Sequence, residues 1–579
     1  MSSIYALFGR SIALLVLVLQ GACAQLPQHV DRPVSTALSS PNGTALEALV
    51  QQRRKADAAR FESGFLLLAG PPAAYGSRLA LIEGAQKTLD LQYYAIHADA
   101  STGRLVRGIR AAAGRGVRVR ILLDDLHSTG RDALVLGLAF VPNIEMRLFN
   151  PLAGARGSSF ARALNSIGDA SRIQQRMHNK LFLADNVLGV TGGRNLGDAY
   201  FGNALKGNFI DLDILAAGPI VQDLSRSFDS YWNNERAYPV QSLVKRSELE
   251  AIRERAQQAD RELADESARA QNSPPPATPA GEPKLGAAPT PAQLARAWDE
   301  KPLDLQTARF VWAPAVMLAD QPGKIPADKG VEKTRAPGLV VSQPGDSARS
   351  SRRAASLEAS SDVAAGSDTV VEGLLQLIGQ ARSDLLIISP YFVPGPDMKQ
   401  AFAAARSRGV RIRVLTNSLS SNDAPVAHVG YSRHREDLLK IGVELYELRS
   451  EQASVSNAFG SSGSGGSLGE SRSMLHSKVL VMDGQLLVVG SMNLDLRSQL
   501  QNTEIALLVR SAELSRAASA QIERGMREGS WRVELNGGSL VWRAPEGSGL
   551  KDMSTEPDAS LTLRLLLRLF GPLAPDQLL

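Results

Sequence analysis

Cysteine is almost absent: one residue, Cys23, in a chain of 579. That excludes an internal disulfide framework and any cysteine-ligated metal centre. Long apolar runs are also missing, since the stretch at residues 11–22 is too short to cross a bilayer as a helix. Neither sign of charge dominates. Lys and Arg number 64 against 59 Asp and Glu, a net charge of +5 with a pI near 9.2, compatible with an anionic surface but demanding none. No basic stripe with interleaved aromatics occurs, which argues against a nucleic acid partner. What is present is apolar material: 44% hydrophobic residues with 21% charged, in a chain this long, fill at least two cores.

The N-terminus carries an export pattern. Arg10 precedes the apolar run and Gly21, Ala22 and Ala24 end it, the layout of a secretory signal over residues 1–24. Two processing outcomes fit. Gly21-Ala22-Cys23 has the form of a bacterial lipobox, with Gln20 where Leu is preferred, and would leave Cys23 as a lipidated first residue. Ala22-Cys23-Ala24 is also an A-x-A cleavage site, which would discard the cysteine. A single cysteine kept at the lipobox position favours the lipoprotein. Both outcomes export the chain and place it at the periplasmic face of a membrane.

The strongest signal is a constellation that occurs twice, His178-x-Lys180-x4-Asp185 and His476-x-Lys478-x4-Asp483. By composition one chance match is expected roughly 0.01 times, so the pair is the evidence. Each copy runs into an apolar stretch and then a small-residue loop ending in Asn, Gly192-Gly193-Arg194-Asn195 and Gly490-Ser491-Met492-Asn493. The pattern reads as strand, turn, strand, loop, with His and Lys on one face of the first strand. The duplication reaches further back. Arg115-Gly-Val-Arg-Val-Arg-Ile-Leu-Leu-Asp124-Asp125 is matched by Arg408-Gly-Val-Arg-Ile-Arg-Val-Leu-Thr416-Asn417, and Leu89-Asp-Leu-Gln-Tyr93-Tyr94 by Leu385-Leu-Ile-Ile-Ser-Pro-Tyr391-Phe392. The halves are one unit used twice.

The expected organisation follows from this repeat and from composition. A segment at 25–60 leads into a first domain at 61–245, then a helical and Pro-rich linker at 246–305. A strand plus a disordered connector follows at 306–367, the Ser, Ala and Arg-rich part being 347–367. The second domain occupies 368–545, with a Gly/Ser loop at 460–469, and the tail at 546–579 carries an amphipathic helix over 561–570.

His, Lys and Asn used twice suit attack on a phosphodiester. Lys180 and Lys478 supply positive charge, and Asn195, Asn493 and Ser491 supply hydrogen bonds to the phosphate oxygens. One histidine attacks to form a phosphohistidine, while the other protonates the leaving alkoxide and then deprotonates the incoming alcohol or water. One copy alone lacks the second group, so the motifs meet at an interface near a pseudo-two-fold axis. Each imidazole needs a partner to hold its tautomer. Glu504, 28 residues past His476, and Asp211, 33 past His178, are the candidates, ahead of Asp213. Asp185 and Asp483 complete the motif and close the strand turn as supports. Tyr94, Tyr391 and His428 are candidate lining residues of the substrate pocket; His29, His97, His127 and His434 read as surface or satisfied polar residues.

These motifs resemble the phospholipase D superfamily, over residues from about 60 to 579. The strings Leu91-Gln-Tyr93-Tyr94, Gly192-Gly193-Arg194-Asn195-Leu-Gly-Asp198-Ala-Tyr200-Phe201, Thr416-Asn417-Ser418-Leu419, Asp320-Gln-Pro-Gly-Lys324 and Ser530-Trp531 are similar to the bacterial cardiolipin synthase C branch. The resemblance implies two α/β domains, each a mixed sheet flanked by helices, with a single active site between them and no metal or other cofactor. It implies phospholipid substrates at a membrane surface: a phosphatidyl group passes from one phospholipid, in that branch a phosphatidylethanolamine, to a phosphatidylglycerol hydroxyl. The order of the two histidines stays open, as does any accessory protein. A hydrolytic phospholipase D releasing phosphatidic acid is the alternative, and a nuclease or other phosphodiesterase the third reading.

Overall fold

The computed structural model describes residues 26–154, 156–157, 170–271, 288–325, 338–343, 352–451, 472–559 and 564–565. The leader with Cys23, the Pro-rich part of the linker, the Gly/Ser loop and nearly all of the expected tail helix lie outside these residues.

The first half contributes β1 (Gly64–Ala69), β2 (Thr88–Tyr93), β3 (Arg118–Asp124), β4 (Ile144–Phe149), β5 (Leu181–Ala184), β6 (Leu188–Thr191), β7 (Asn208–Ile210), β8 (Leu212–Ala217), β9 (Ala237–Pro239) and β10 (Val311–Trp312). All but β7 form one sheet in the order β10-β1-β8-β6-β5-β2-β3-β4-β9. The second half contributes β11 (Ala315–Asp320), β12 (Leu339–Val341), β13 (Asp384–Ile388), β14 (Phe392–Val393), β15 (Arg411–Asn417), β16 (Glu444–Leu448), β17 (Ser473–Leu475), β18 (Val479–Met482), β19 (Leu486–Gly490), β20 (Leu494–Asp495), β21 (Ile505–Arg510), β22 (Ser530–Asn536) and β23 (Ser539–Arg543). Its main sheet runs β12-β11-β21-β19-β18-β13-β15-β16-β22-β23. The middle of each order is the same walk, so the repeat seen in the chain is a repeat of topology.

Both sheets are mixed for the same local reason. β2, β3 and β4 are parallel, as are β13, β15 and β16, and a parallel step needs a crossover of a dozen residues or more. The helices Ala100–Gly114 and Pro396–Ser407 supply it. The first is N-capped by Asp99, whose carboxylate accepts the Thr102 N–H; the second starts with Pro396, whose missing N–H costs nothing there. β5 with β6 and β18 with β19 are tight antiparallel hairpins. Their turns place Asp185 and Asn186, and Asp483 and Gly484, at positive φ, the conformation that two-residue hairpin turns require.

The two domains share a core. Leu122, Leu181, Leu183 and Ile214 of the first sheet pack in one buried cluster with Leu386, Val479, Val481 and Leu507 of the second. The helices Ile220–Trp232 and Ala512–Gly529 join that cluster through Phe228 and Trp232 and through Leu514 and Ile522. Separate clusters fill each domain away from this junction.

Two boundaries differ from the sequence expectation. The connector at 306–367 divides between the sheets, with β10 in the first and β11 and β12 in the second. Its Ser/Ala/Arg-rich part is not disordered throughout: Arg352–Ala365 is a helix that buries Leu357 and Ala364 in the second core. Small residues hid an amphipathic stripe that only two apolar side chains define.

Candidate active site

The two motifs are joined by hydrogen bonds between the domains. β17 lies parallel to β7, and Met177 bridges Thr503. As a result the His178 N–H donates to the Thr503 carbonyl at 3.0 Å, and the His476 N–H donates to the Ile210 carbonyl at 2.8 Å. Each of those carbonyls belongs to the residue just before a carboxylate. His178 Nδ1 therefore sits 3.0 Å from Glu504 Oε2, and His476 Nδ1 sits 2.8 Å from Asp211 Oδ2. The pairing is crossed: each histidine is held by a carboxylate of the opposite domain. Because both contacts use Nδ1, Nε2 is the ring atom left to address a substrate. Gly193 makes room for this arrangement, since a Cβ there would stand 2.4 Å from Asp211 Oδ2.

The lysines fold back onto their own motifs. Lys180 Nζ donates to the His178 carbonyl at 2.8 Å and Lys478 Nζ to the His476 carbonyl at 2.7 Å. Burial, and then the nearby charge of Lys478, push Lys180 down to about 7; burial also lowers Lys478. Two buried ammonium groups that repel each other form a site waiting for an anion. Sulfate, whose charge is constant across neutral pH, is expected to inhibit several-fold more strongly at pH 6 than at pH 8.5, because Lys180 gains its proton as pH falls through about 7. Inhibition constants measured across that range check it; a flat profile would remove the lysine from anion binding.

The carboxylates are not equivalent. Burial alone would raise Asp211, but the His476 hydrogen bond and the charges of Arg194 and Lys478 hold it below the ordinary carboxylate range. Glu504 is pushed up to about 7 by burial, which the charge of Lys180 and the Ser491 hydroxyl offset only in part. Its oxygens are held by hydroxyls, Ser491 Oγ at 2.5 Å and Ser498 Oγ at 2.9 Å. Behind them stands the Asp320-Gln-Pro-Gly-Lys324 segment. Asp320 Oδ2 accepts the Glu504 N–H at 2.9 Å, while Lys324 Nζ donates to Asp320 and to the Ser498 carbonyl. Burial pushes both histidines down, His476 to about 4 and His178 well below its usual value.

The remaining sequence candidates fall at varied distances from the histidines. Asn195 accepts the Ala95 N–H and donates to the Tyr200 hydroxyl at 2.9 Å. Asn493 has a buried Oδ1 with no partner among the described residues, an acceptor that suits a hydroxyl, while only its amide NH2 could donate to a phosphate. Ser491 does not serve the phosphate as expected, because its hydroxyl is committed to Glu504. Asp185 and Asp483 stand outside the reacting centre: Asp185 accepts the backbone N–H groups of Gln86, Lys87 and Thr88, and Asp483 those of Arg382, Ser383 and Asp384. They pin the hairpin turn to the start of β2 and β13. Tyr94 packs edge-on to His178 with centroids 5.1 Å apart. Tyr391 is tied by its hydroxyl to Asp423, whose charge acts on Lys478. His428, in the helix Pro425–Ile441, is 2% exposed and has its Nε2 against Arg435 and Glu556, so that nitrogen is engaged in an ionic cluster and not turned to the catalytic histidines.

Sequence reasoning missed several neighbours. Tyr200 and Phe209 wall His476 at centroid distances of 5.3 and 5.0 Å. His127, set aside as a surface or satisfied polar residue, packs edge-on to Tyr94 at 4.8 Å. The signal for Tyr200 was its place just after the Asn195 loop; His127 had none.

Paired histidines, paired lysines and crossed carboxylates at the junction of two repeated α/β domains define a phospholipase D superfamily enzyme. A family profile described as cardiolipin synthase, PLD-like domain, matches twice, at residues 79–232 and 374–526. The chain is 33% identical over 517 residues to cardiolipin synthase C of Escherichia coli (strain K12), covering 87% of this chain and 94% of that one. An uncharacterized protein of Helicobacter pylori (strain J99) is 31% identical over 506 residues, 84% of each chain. The crystal structure of phosphatidylserine synthase from Haemophilus influenzae Rd KW20 shares the fold, with a TM-score of 0.50 at 13% identity over 91% of this chain and 99% of that one. This chain belongs to the cardiolipin synthase, phospholipase D-like family.

Proposed function

We propose that the protein makes cardiolipin by passing a phosphatidyl group from phosphatidylethanolamine to a hydroxyl of phosphatidylglycerol, with His178 as nucleophile and His476 as acid and base. The crossed carboxylates carry the division of labour. A general acid must hold a proton: burial pushes the His476 ring down to about 4, but ionised Asp211 works against that, and the negative charge of a bound substrate phosphate adds to it, so the imidazolium is favoured once substrate is in place. Glu504, pushed up to about 7 by burial, accepts the His178 Nδ1–H when ionised without holding a second proton on the ring, and so fixes Nε2 for attack. His178 Nε2 attacks phosphorus, the bond to the ethanolamine oxygen breaks, and that oxygen leaves with a proton from His476. The phosphatidylglycerol hydroxyl then gives its proton to His476 and attacks phosphorus, and the phosphorus–nitrogen bond breaks to restore His178. Lys180 and Lys478 neutralise the phosphoryl oxygens throughout. Tyr94, Tyr200 and Phe209 wall the histidines with rings, which disfavours water over a lipid alcohol as acceptor.

The test is product analysis. Full-length protein added to vesicles of phosphatidylethanolamine and phosphatidylglycerol is expected to yield cardiolipin and free ethanolamine in equal amounts by mass spectrometry. Phosphatidic acid as the sole product would replace the transferase by a hydrolase. In the same reading the site faces a membrane outside the cytoplasm, with Cys23 as the anchor. Membrane association that is unchanged in a Cys23→Ser variant would rule the anchor out.

A further inference from the structure

The two lysines account for one phosphate, the one being transferred. A phosphatidylglycerol acceptor brings a second phosphodiester that does not react yet must lie within a few bonds of the first. Its charge needs a partner of its own.

Arg497 fits that need. It lies in the short helix Leu496–Leu500, four residues past Asn493 and one before Ser498, whose hydroxyl holds Glu504. Its charge acts on His178, Tyr94 and His127 of the first domain and on Asp495 of its own, so the guanidinium lies within electrostatic range of the His178 half of the site. Among the described residues its guanidinium makes no hydrogen bond or ion pair, and its Nε is buried without a partner. The other arginines around the site are committed. Arg194 is bound to Asp213 and to the carbonyls of Tyr200 and Asp211, and Arg176 is paired with Asp124 at 2.8 Å. The repeat gives an internal control: the residue four past Asn195 is Ala199, so the first half carries no matching charge.

We propose that Arg497 binds the unreacted phosphodiester of the acceptor lipid, making the acceptor side of the site specific for an alcohol that carries its own phosphate. This rests on the transferase reading given above. A planar, permanently charged fork suits a phosphodiester that must be held through two contacts while its distant hydroxyl attacks. The asymmetry also sets direction, since among the described residues the matching position of the first half, Ala199, offers no such anchor.

The experiment compares two acceptors in one preparation, phosphatidylglycerol and glycerol, with phosphatidylethanolamine as donor. Glycerol carries the same hydroxyls without the phosphate. In Arg497→Ala the preference for phosphatidylglycerol over glycerol, taken as the ratio of kcat/KM values, is expected to fall roughly 10- to 100-fold. Most of the loss should lie in KM for phosphatidylglycerol, and Arg497→Lys should recover part of it. An unchanged ratio overturns the assignment, and so does an equal fall with both acceptors, which would mean that the arginine serves the transferred phosphate or the fold. Wild-type protein that forms no cardiolipin would overturn the transferase reading itself, and the acceptor site with it.

Discussion

His178→Ala and His476→Ala are each expected to lower cardiolipin formation by about ten-thousand-fold or more, the scale at which a nucleophile or a general acid acting in a concerted site is lost. The two variants should fail at different points. Without His178 no phosphorus–nitrogen bond forms, so no donor of any kind yields a covalent intermediate. Without His476 attack remains possible but the leaving alkoxide has no proton source. A donor whose headgroup leaves as a stable anion bypasses that need. With phosphatidyl-p-nitrophenol as donor, His476→Ala is expected to release a burst of nitrophenolate equal to the enzyme present and then stall, whereas His178→Ala should release none. A burst from His178→Ala and none from His476→Ala would exchange the two roles. Neither variant opens the fold, because the backbone ties that hold the motifs, His178 N–H to Thr503 and His476 N–H to Ile210, do not involve the rings. Asp211 loses its main partner in His476→Ala, so that variant is the less stable of the two.

The motif residues were legible because they are adjacent in sequence and occur twice. A repeat also foretells one site between two domains, since neither copy has both an attacking group and an acid. The crossing of the carboxylates was not legible. It arises from β7 pairing with β17 and Met177 bridging Thr503, contacts between residues about 265 and 326 positions apart in the histidine pairs they set up. Ser491 looked like a phosphate donor because it follows the Asn493 loop pattern, yet its hydroxyl faces inward to Glu504. His428 looked like a pocket residue because it follows a strand end, but Glu556, from beyond β23, covers it. Both misplacements have one cause: sequence spacing tells which side chains sit at a strand end, and tertiary partners decide which way they turn. The Asp320-Gln-Pro-Gly-Lys324 segment shows the converse. It resembles a surface loop in composition, and its role behind Glu504 appears only when β11 pairs with β21.

Asp211→Asn and Glu504→Gln are expected to differ in both size and pH dependence. In Asp211→Asn the charge that balances an imidazolium disappears while Arg194 and Lys478 remain beside the ring, and an amide can also present the wrong tautomer. A loss on the order of a thousand- to ten-thousand-fold in kcat follows with phosphatidylethanolamine, and a far smaller one with the nitrophenyl donor, which needs no acid. Glu504→Gln keeps the hydroxyl contacts of Ser491 and Ser498 and should cost on the order of a hundredfold. The pH profile separates the two further. Glu504 titrates near 7; above that pH its carboxylate takes the Nδ1–H of His178 and frees Nε2 for attack, and below it the protonated carboxyl donates to Nδ1 and leaves the proton on Nε2. The wild-type kcat is therefore expected to rise with pH through about 7. Lys180, also near 7 when the site is empty, is held protonated once a phosphate lies against it, so its loss of charge appears as a falling limb in kcat/KM and not in kcat. Glu504→Gln should abolish the rising limb of kcat and leave the falling limb of kcat/KM in place. Asp211→Asn should keep the rising limb, because Glu504 is untouched. Persistence of the rising limb in Glu504→Gln would show that another group governs the nucleophile.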